Sequence, residues 1–190
     1  MGKTSLVCGV GINDSDYITN PNNGGVRNIC QYYRAWHSML NRCYNKVYTA
    51  RRPTYEICLV CEAWLTFSNF KAWMETQDWI GKELDKDLIC SGNNVYCPEA
   101  CVFLDPNVNK FLTDRKRFRG KYMIGASWHK SSGKFQSQCG DGRMQKYLGT
   151  YDTELEAHLA WKTYKHRLAC KLADEQTDLR VAAALRQRYL

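Results

Sequence analysis

A chain of 190 residues suits one medium domain or two small ones, and 44% hydrophobic residues with 13% aromatics exclude a disordered polymer. The formal charge of +8 favours an acidic polymer as partner. No stretch approaches the ~20 apolar residues of a membrane-spanning helix, and the first residues do not read as a signal peptide. The ten cysteines are therefore expected to be mostly free thiols in a reducing cytosol, with room for one metal site.

Residues 1–30, rich in Gly, Asn and Asp, read as an irregular arm. From Gln31 the recurrence of Trp36, Met39, Leu40 and Cys43 predicts a helix, and Pro53 ends that region. A second helix is expected after Cys61, where Trp64, Phe67, Phe70, Trp73 and Met74 fall three and four apart; these aromatics read as core. Leu84 to Phe103 reads as a hairpin turning at Ser91 to Asn94, because Gly92-Asn93 supplies positive φ. Thr113 to Lys121 is a basic linker. Three strand-like runs follow, Tyr122 to Trp128, Lys134 to Cys139 and Gln145 to Tyr151, separated by Ser-Ser-Gly and Gly-Asp-Gly turns. Thr153 and Glu156 form a capping pattern that opens a helix, with Ala157, Trp161, Tyr164, Leu168 and Leu172 as its buried face. A last helix carries Val181, Ala184 and Leu185. The expected division is an arm (1–30), a central module (31–112), a linker (113–121), a sheet-and-helix domain (122–175) and a C-terminal helix (176–190).

The positive charge is unevenly distributed. Between Lys110 and Lys146 lie Arg115, Lys116, Arg117, Arg119, Lys121, Lys130, Lys134 and Arg143, against only Asp114 and Asp141. Strand alternation puts Lys134, Gln136 and Gln138 on one face and Phe135, Ser137 and Cys139 on the other. In the next strand Arg143, Gln145 and Tyr147 lie opposite Met144, Lys146 and Leu148. One face is thus rich in hydrogen-bond donors while the other can pack beneath the helix. Gln can bond adenine and Arg guanine, and a narrow β-ribbon fits the major groove; an ordinary solvated sheet face is the alternative. This stretch resembles the Apetala (ethylene-response-factor) type of DNA-binding domain. The resemblance covers about Ile124 to Leu172 and rests on Gly125-Ala126-Ser127-Trp128, Gly133-Lys134-Phe135, Leu148-Gly149-Thr150-Tyr151 and Glu156-Ala157 with Trp161. It implies a three-stranded sheet in the major groove of double-stranded DNA with a helix behind it. The contacts it points to are Trp128, Lys130, Lys134, Gln136 and Arg143. Gln138 and Gln145 on the same face, with Arg117 and Arg119 of the linker, complete the expected DNA-binding set.

Upstream, Leu84-Asp85-Lys86-Asp87, the Gly-Asn turn and the segment closing on Asn109 have the order of a ββα-metal (His-Me finger) nuclease site. Such a site uses a His to deprotonate water and a divalent metal to stabilise the leaving oxygen. This part of the chain resembles phage HNH-type homing endonucleases that pair a degenerate HNH module with an Apetala-type domain. The joint resemblance spans nearly all of residues 8–175 and implies an α+β protein of the host cytosol. It also implies hydrolysis of duplex DNA with Mg²⁺ or Mn²⁺ held by Asp85, Asp87 and Asn109. Lys86 stands where the general-base His is expected. Flanked by two carboxylates it should stay protonated, which suits a phosphate contact or transition-state cation rather than a base. His37 is the one upstream histidine that could fold back as a base. A salt-bridged, non-catalytic strand end is the other reading, leaving a binding protein derived from a nuclease. Cys58 and Cys61 before the strand, with Cys97 and Cys101 after it, could hold structural Zn²⁺ as in some HNH enzymes, or be buried thiols.

Overall fold

The computed structural model describes residues 6–23, 26–113, 120–140 and 144–190. Those residues are mixed α+β, with six α-helices and one three-stranded antiparallel sheet, in two units: Met1–Leu104 and Asp105–Leu190.

In the first unit the apolar stripe read from the sequence becomes helix α1 (Gln31–Tyr44), whose buried residues are Trp36, Met39, Leu40 and Cys43. The indole of Trp36 is fully buried and donates to the Trp64 carbonyl at 2.7 Å, so its one polar atom is satisfied. Burying an aromatic of that size removes about 150–250 Å² from water, roughly 4–6 kcal/mol at ~25 cal/mol/Å². A short helix α2 (Lys46–Arg51) follows, capped by Asn45, and a 3-10 turn begins at Pro53. The single helix expected after Cys61 is instead a 3-10 turn (Glu62–Leu65) followed by α3 (Phe67–Glu75). Thr66 is extended between them because it makes a parallel bridge with Ile12.

That bridge shows the N-terminal segment to be packed rather than loose. Ile12 N–H donates to Leu65 O at 2.8 Å, and Phe67 N–H donates to Ile12 O at 2.9 Å. Asp14 accepts from Ser68 N–H at 2.9 Å and from its hydroxyl at 2.5 Å, which satisfies the start of α3. Gly11 permits the crossing: a Cβ there would lie 2.4 Å from Leu40 Cδ1. Farther along, β1 (Asn22–Asn23) pairs with β2 (Val26–Arg27).

The expected hairpin from Leu84 to Phe103 takes a different form. Strand β4 (Glu83–Asp85) pairs antiparallel with β6 (Val102–Leu104), with Leu84 opposite Phe103, so the two ends do meet. The segment after the Gly-Asn turn is β5 (Val95–Tyr96), and it pairs in parallel with β3 (Leu59–Val60), not with β4. A turn signal is local, whereas the partner of β5 lies far back in the chain, and the buried Val60 and Tyr96 draw the two together.

The second unit begins with α4 (Pro106–Leu112), opened by Asp105, whose carboxylate accepts from Asn107 N–H at 2.7 Å. The helix that the sequence reading grouped with the preceding strands therefore belongs here, where Lys165 donates to Phe111 O at 2.9 Å. The sheet is β7 (Ala126–His129), β8 (Lys134–Gly140) and β9 (Gln145–Tyr151), in that order. Helix α5 (Glu154–Asp174) opens with the expected capping box of Thr153 and Glu156. Its deepest residues are Ala157, Trp161, Ala169 and Ala173; Tyr164, Leu168 and Leu172 are only half-buried. Small side chains let neighbouring elements approach closely, so the alanines take the buried line. Gly125 answers the same need at the sheet: with φ of +82° and a hypothetical Cβ 2.1 Å from the Trp161 ring, only glycine fits. Helix α6 (Leu179–Gln187) packs on α5 with Val181, Ala182 and Leu185 buried.

Candidate functional site

Pairing decides which side chains share a face, because residues opposite each other in an antiparallel ladder point the same way. Ser127 pairs with Gln136, which pairs with Thr150; His129 pairs with Lys134; Gln138 pairs with Tyr147; and Gly140 pairs with Gln145. These residues form one face. Trp128, Phe135 and Tyr151 form the other, together with Ala126, Ser137, Gly149, Cys139 and Lys146. Ser137 and Cys139 are almost fully buried, which identifies the second face as the one turned toward α5. A register shift between Ser137 and Gln138 leaves Leu148 without a ladder partner, and this bulge keeps Gln145 and Tyr147 on the polar side.

The polar face therefore gathers Lys134, Gln136, Gln138 and Gln145 as expected from alternation. Tyr147, 53% exposed, is there as expected, and they are joined by Ser127, His129 and Thr150, which the sequence reading did not place on this face. The signal for them was the β7–β8 turn: once Lys130–Gly133 closes the hairpin, His129 must face Lys134. Trp128 moves the other way. It shares a face with Phe135, its ring 4.9 Å away edge-on, although 42% of its surface stays exposed. Met144 does not pack under the helix but is 75% exposed, because it precedes the first ladder pair of β9. Lys130 is exposed in the β7–β8 turn. Arg117, Arg119 and Arg143 lie outside the described residues. Lys134 donates to Asp152 at 2.8 Å, a pairing that raises its pKa.

Three strands ~4.8 Å apart make a ribbon about 10 Å wide, and a seven-residue strand is roughly 23 Å long. Those dimensions match a major groove about 12 Å wide over several base pairs.

The acidic strand of the first unit is built differently. Asp85 Oδ1 accepts the N–H groups of Asp87 at 3.0 Å and Leu88 at 2.8 Å, turning the chain sharply after β4. Burial raises its pKa despite those two bonds. Lys86 is buried, 5% exposed, and donates to Asp87 Oδ1 at 2.5 Å and to Asn93 O at 2.9 Å, with its ammonium 5.8 Å from the Tyr96 ring centroid. Burial is the largest single influence and opposes its charge, but the bond to Asp87, that carboxylate's charge and the nearby Cys58 and Tyr55 together raise the pKa, so it stays protonated as expected. Asn93 completes the clasp by donating to Lys86 O at 3.1 Å and Val95 O at 2.7 Å. Together these bonds close the loop between β4 and β5. They also leave Lys86 little freedom to reach a phosphate.

Asn109 lies on α4 in the second unit, apart in the chain division from Asp85 and Asp87. His37 is exposed on α1, with its ring 5.9 Å from that of Tyr33. All ten cysteines are free thiols. Cys58 and Cys101 are buried, and the β3–β5 pairing continues as Cys61 N–H donates to Tyr96 O at 2.9 Å. Burial raises the pKa of Cys58, Cys97 and Cys101, and pushes that of Cys43 up to about 12, which keeps these groups as thiols. Among the described residues no three His, Cys, Asp or Glu side chains are grouped to hold a metal. Asp87 also carries an ammonium, and Asp85 Oδ1 is held by two amides. A divalent ion there would have to displace part of this bonding.

No protein-family model matches the chain, and no curated protein or solved structure shows significant similarity to it. No described helix is long and apolar enough to cross a membrane.

Proposed function

We propose that this protein binds double-stranded DNA through the exposed face of its C-terminal sheet. The observation that carries this reading is the ladder register. It sets Lys134, Gln136, Gln138, Gln145 and Tyr147 side by side on the face turned away from α5. Amide side chains can donate and accept at base edges, Lys134 and Lys130 can meet phosphates, and the ribbon has groove dimensions. The finer fold assignment, an Apetala-type sheet with its helix behind it, belongs to the same proposal. The ten free thiols suit a reducing cytosol.

The test is fluorescence anisotropy with a labelled duplex at several salt concentrations. Lys134→Ala should weaken binding to all sequences alike and reduce the slope of log K against log salt by about 0.9, the value of one phosphate contact. Gln138→Ala should leave the slope unchanged and relax sequence preference by about 1–3 kcal/mol at one position. If the protein shows no salt-dependent duplex affinity even at low salt, the reading is wrong.

The chain order of β4, β6 and α4 favours a second reading, an HNH-type endonuclease acting on duplex DNA with Mg²⁺ or Mn²⁺. That reading requires Asp85 and Asp87 to give up part of the bonding that now shapes their loop. Supercoiled plasmid incubated with either metal tests it, beside Asp85→Asn. The absence of nicking at every metal concentration removes it.

A further inference from the structure

A cleft of about 450 Å³ opens in the first unit between α1, β4 and the segment joining α3 to β4. Arg34, Ser38 and Arg42 recur every fourth residue on α1 and line one wall; Trp79, Lys82, Glu83 and Phe103 contribute to the rest. The chemistry is unusual for a solvated helix face. Arg42 is half-buried, and of its five N–H donors only those of one terminal nitrogen have partners among the described residues. These are Leu84 O at 3.4 Å and the Tyr96 hydroxyl at 3.5 Å, both long, and no carboxylate pairs with it among the described residues. Arg34 is exposed, and its guanidinium has no protein partner among those residues. Lys82, by contrast, is held by Asp78 at 2.5 Å. A half-buried guanidinium with unbonded donors, in a cleft, invites an oxyanion that can take two N–H groups at once. Trp79, braced on one side by Tyr32 at 5.1 Å, and Phe103, stacked on Trp73 at 5.7 Å, supply flat apolar surface beside those cations.

We propose that this cleft binds a nucleic-acid strand, with Arg34 and Arg42 on phosphates and an unstacked base against Trp79 or Phe103. The two arginine Cα atoms are about 12 Å apart along the helix, at ~1.5 Å per residue, which suits two separate phosphates of one strand better than a single one. Guanidinium on phosphate beside aromatic on base is the pairing by which grooves hold single strands. The assignment rests on the nucleic-acid reading for the identity of the polymer, but the site is a different one, and the sheet is not needed for it.

The probe is a short fluorescein-labelled oligothymidylate bound to the full-length protein, with thymidine monophosphate as competitor. Arg34→Gln changes an exposed residue and should weaken the oligomer about 5–10-fold, reducing the salt slope by about 0.7, one phosphate on a single strand. Trp79→Leu should weaken it at least about fivefold without changing the slope. Lys134→Ala combined with Gln138→Ala should leave oligothymidylate affinity unchanged. Unaltered affinity and slope in both Arg34→Gln and Trp79→Leu overturns the proposal. So does a monophosphate that binds as tightly as the oligomer, because the ligand is then a free nucleotide. If the cleft variants lose the oligomer while the sheet variants keep full duplex affinity, the sheet reading fails and the cleft assignment stands.

Discussion

Replacing Asp85 by Asn and by Ala separates a carboxylate that shapes a loop from one that must carry charge. Asparagine keeps the side-chain oxygen that accepts from Asp87 and Leu88, at 3.0 and 2.8 Å; alanine removes it. Leu88 is buried, so its freed N–H should cost about 1–3 kcal/mol, while the N–H of exposed Asp87 can turn to water at about 0.5 kcal/mol. Asp85→Ala should therefore lose about 1.5–3.5 kcal/mol in urea unfolding at pH 7. Asp85→Asn should stay within about 0.5 kcal/mol of the parent or exceed it. The sign follows from linkage. Burial raises the folded pKa of Asp85 above its unfolded value of about 3.9, so its contribution is fully present below that pH and lost as pH rises through the folded value. Asn does not titrate, so the variant should gain on the parent between pH 4 and pH 7. An Asp85→Asn protein as unstable as Asp85→Ala at pH 7, or one that loses ground over that interval, would refute this account of the loop.

Lys86→Met should destabilise the first unit by about 1–2 kcal/mol near neutrality, through lost bonds to Asp87 and Asn93 O. Because the folded pKa of Lys86 is raised, its contribution is complete below about 10.5 and lost as pH climbs beyond. The gap between parent and variant should therefore close in alkaline unfolding curves. Gly125→Ala should cost more than about 3 kcal/mol, since it combines positive φ with a methyl driven into the Trp161 ring; near-ultraviolet dichroism would show lost tryptophan packing. Asp152→Asn releases Lys134 from its 2.8 Å pair and should tighten duplex binding about 2–5-fold with a steeper salt slope; unchanged affinity would place Lys134 outside the interface.

What the sequence disclosed is what local periodicity can carry. The α1 stripe, the Thr153–Glu156 cap and the polar line Lys134–Gln136–Gln138 depend on residues within two turns or one strand, and all stand in the structure. What it concealed depends on distant partners. Gly92 does turn the chain, with φ of +79°, yet β5 goes to β3 because a buried Tyr96 finds its place there. Trp128 lands opposite Phe135 because the Lys130–Gly133 turn fixes the register, a fact that its own strand does not contain. Lys86 reads as a protonated cation between carboxylates suited to a phosphate contact, but the carbonyl of Asn93 and the Tyr96 ring draw it inward. The arginines of α1 were legible at positions 34 and 42 and carried no signal, since only the folded cleft shows that Arg42 has no carboxylate partner among the described residues.

The composition of the two candidate surfaces implies different binding physics. On the described part of the sheet face the one ammonium, Lys134, already has Asp152 beside it, while its neighbours are three glutamines and a tyrosine. Such a face gains mainly from directional hydrogen bonds, which discriminate among sequences and respond weakly to salt. The α1 cleft offers guanidinium groups that have no carboxylate partner among the described residues, whose gain is largely counterion release and falls steeply as salt rises. Total affinity and sequence preference should therefore come apart on titration with salt. Raising salt should strip the non-specific component first and leave preference for the best duplex intact. Affinities that coincide for all sequences at every salt concentration would mean that the amide-rich face makes no base contacts, whatever its register.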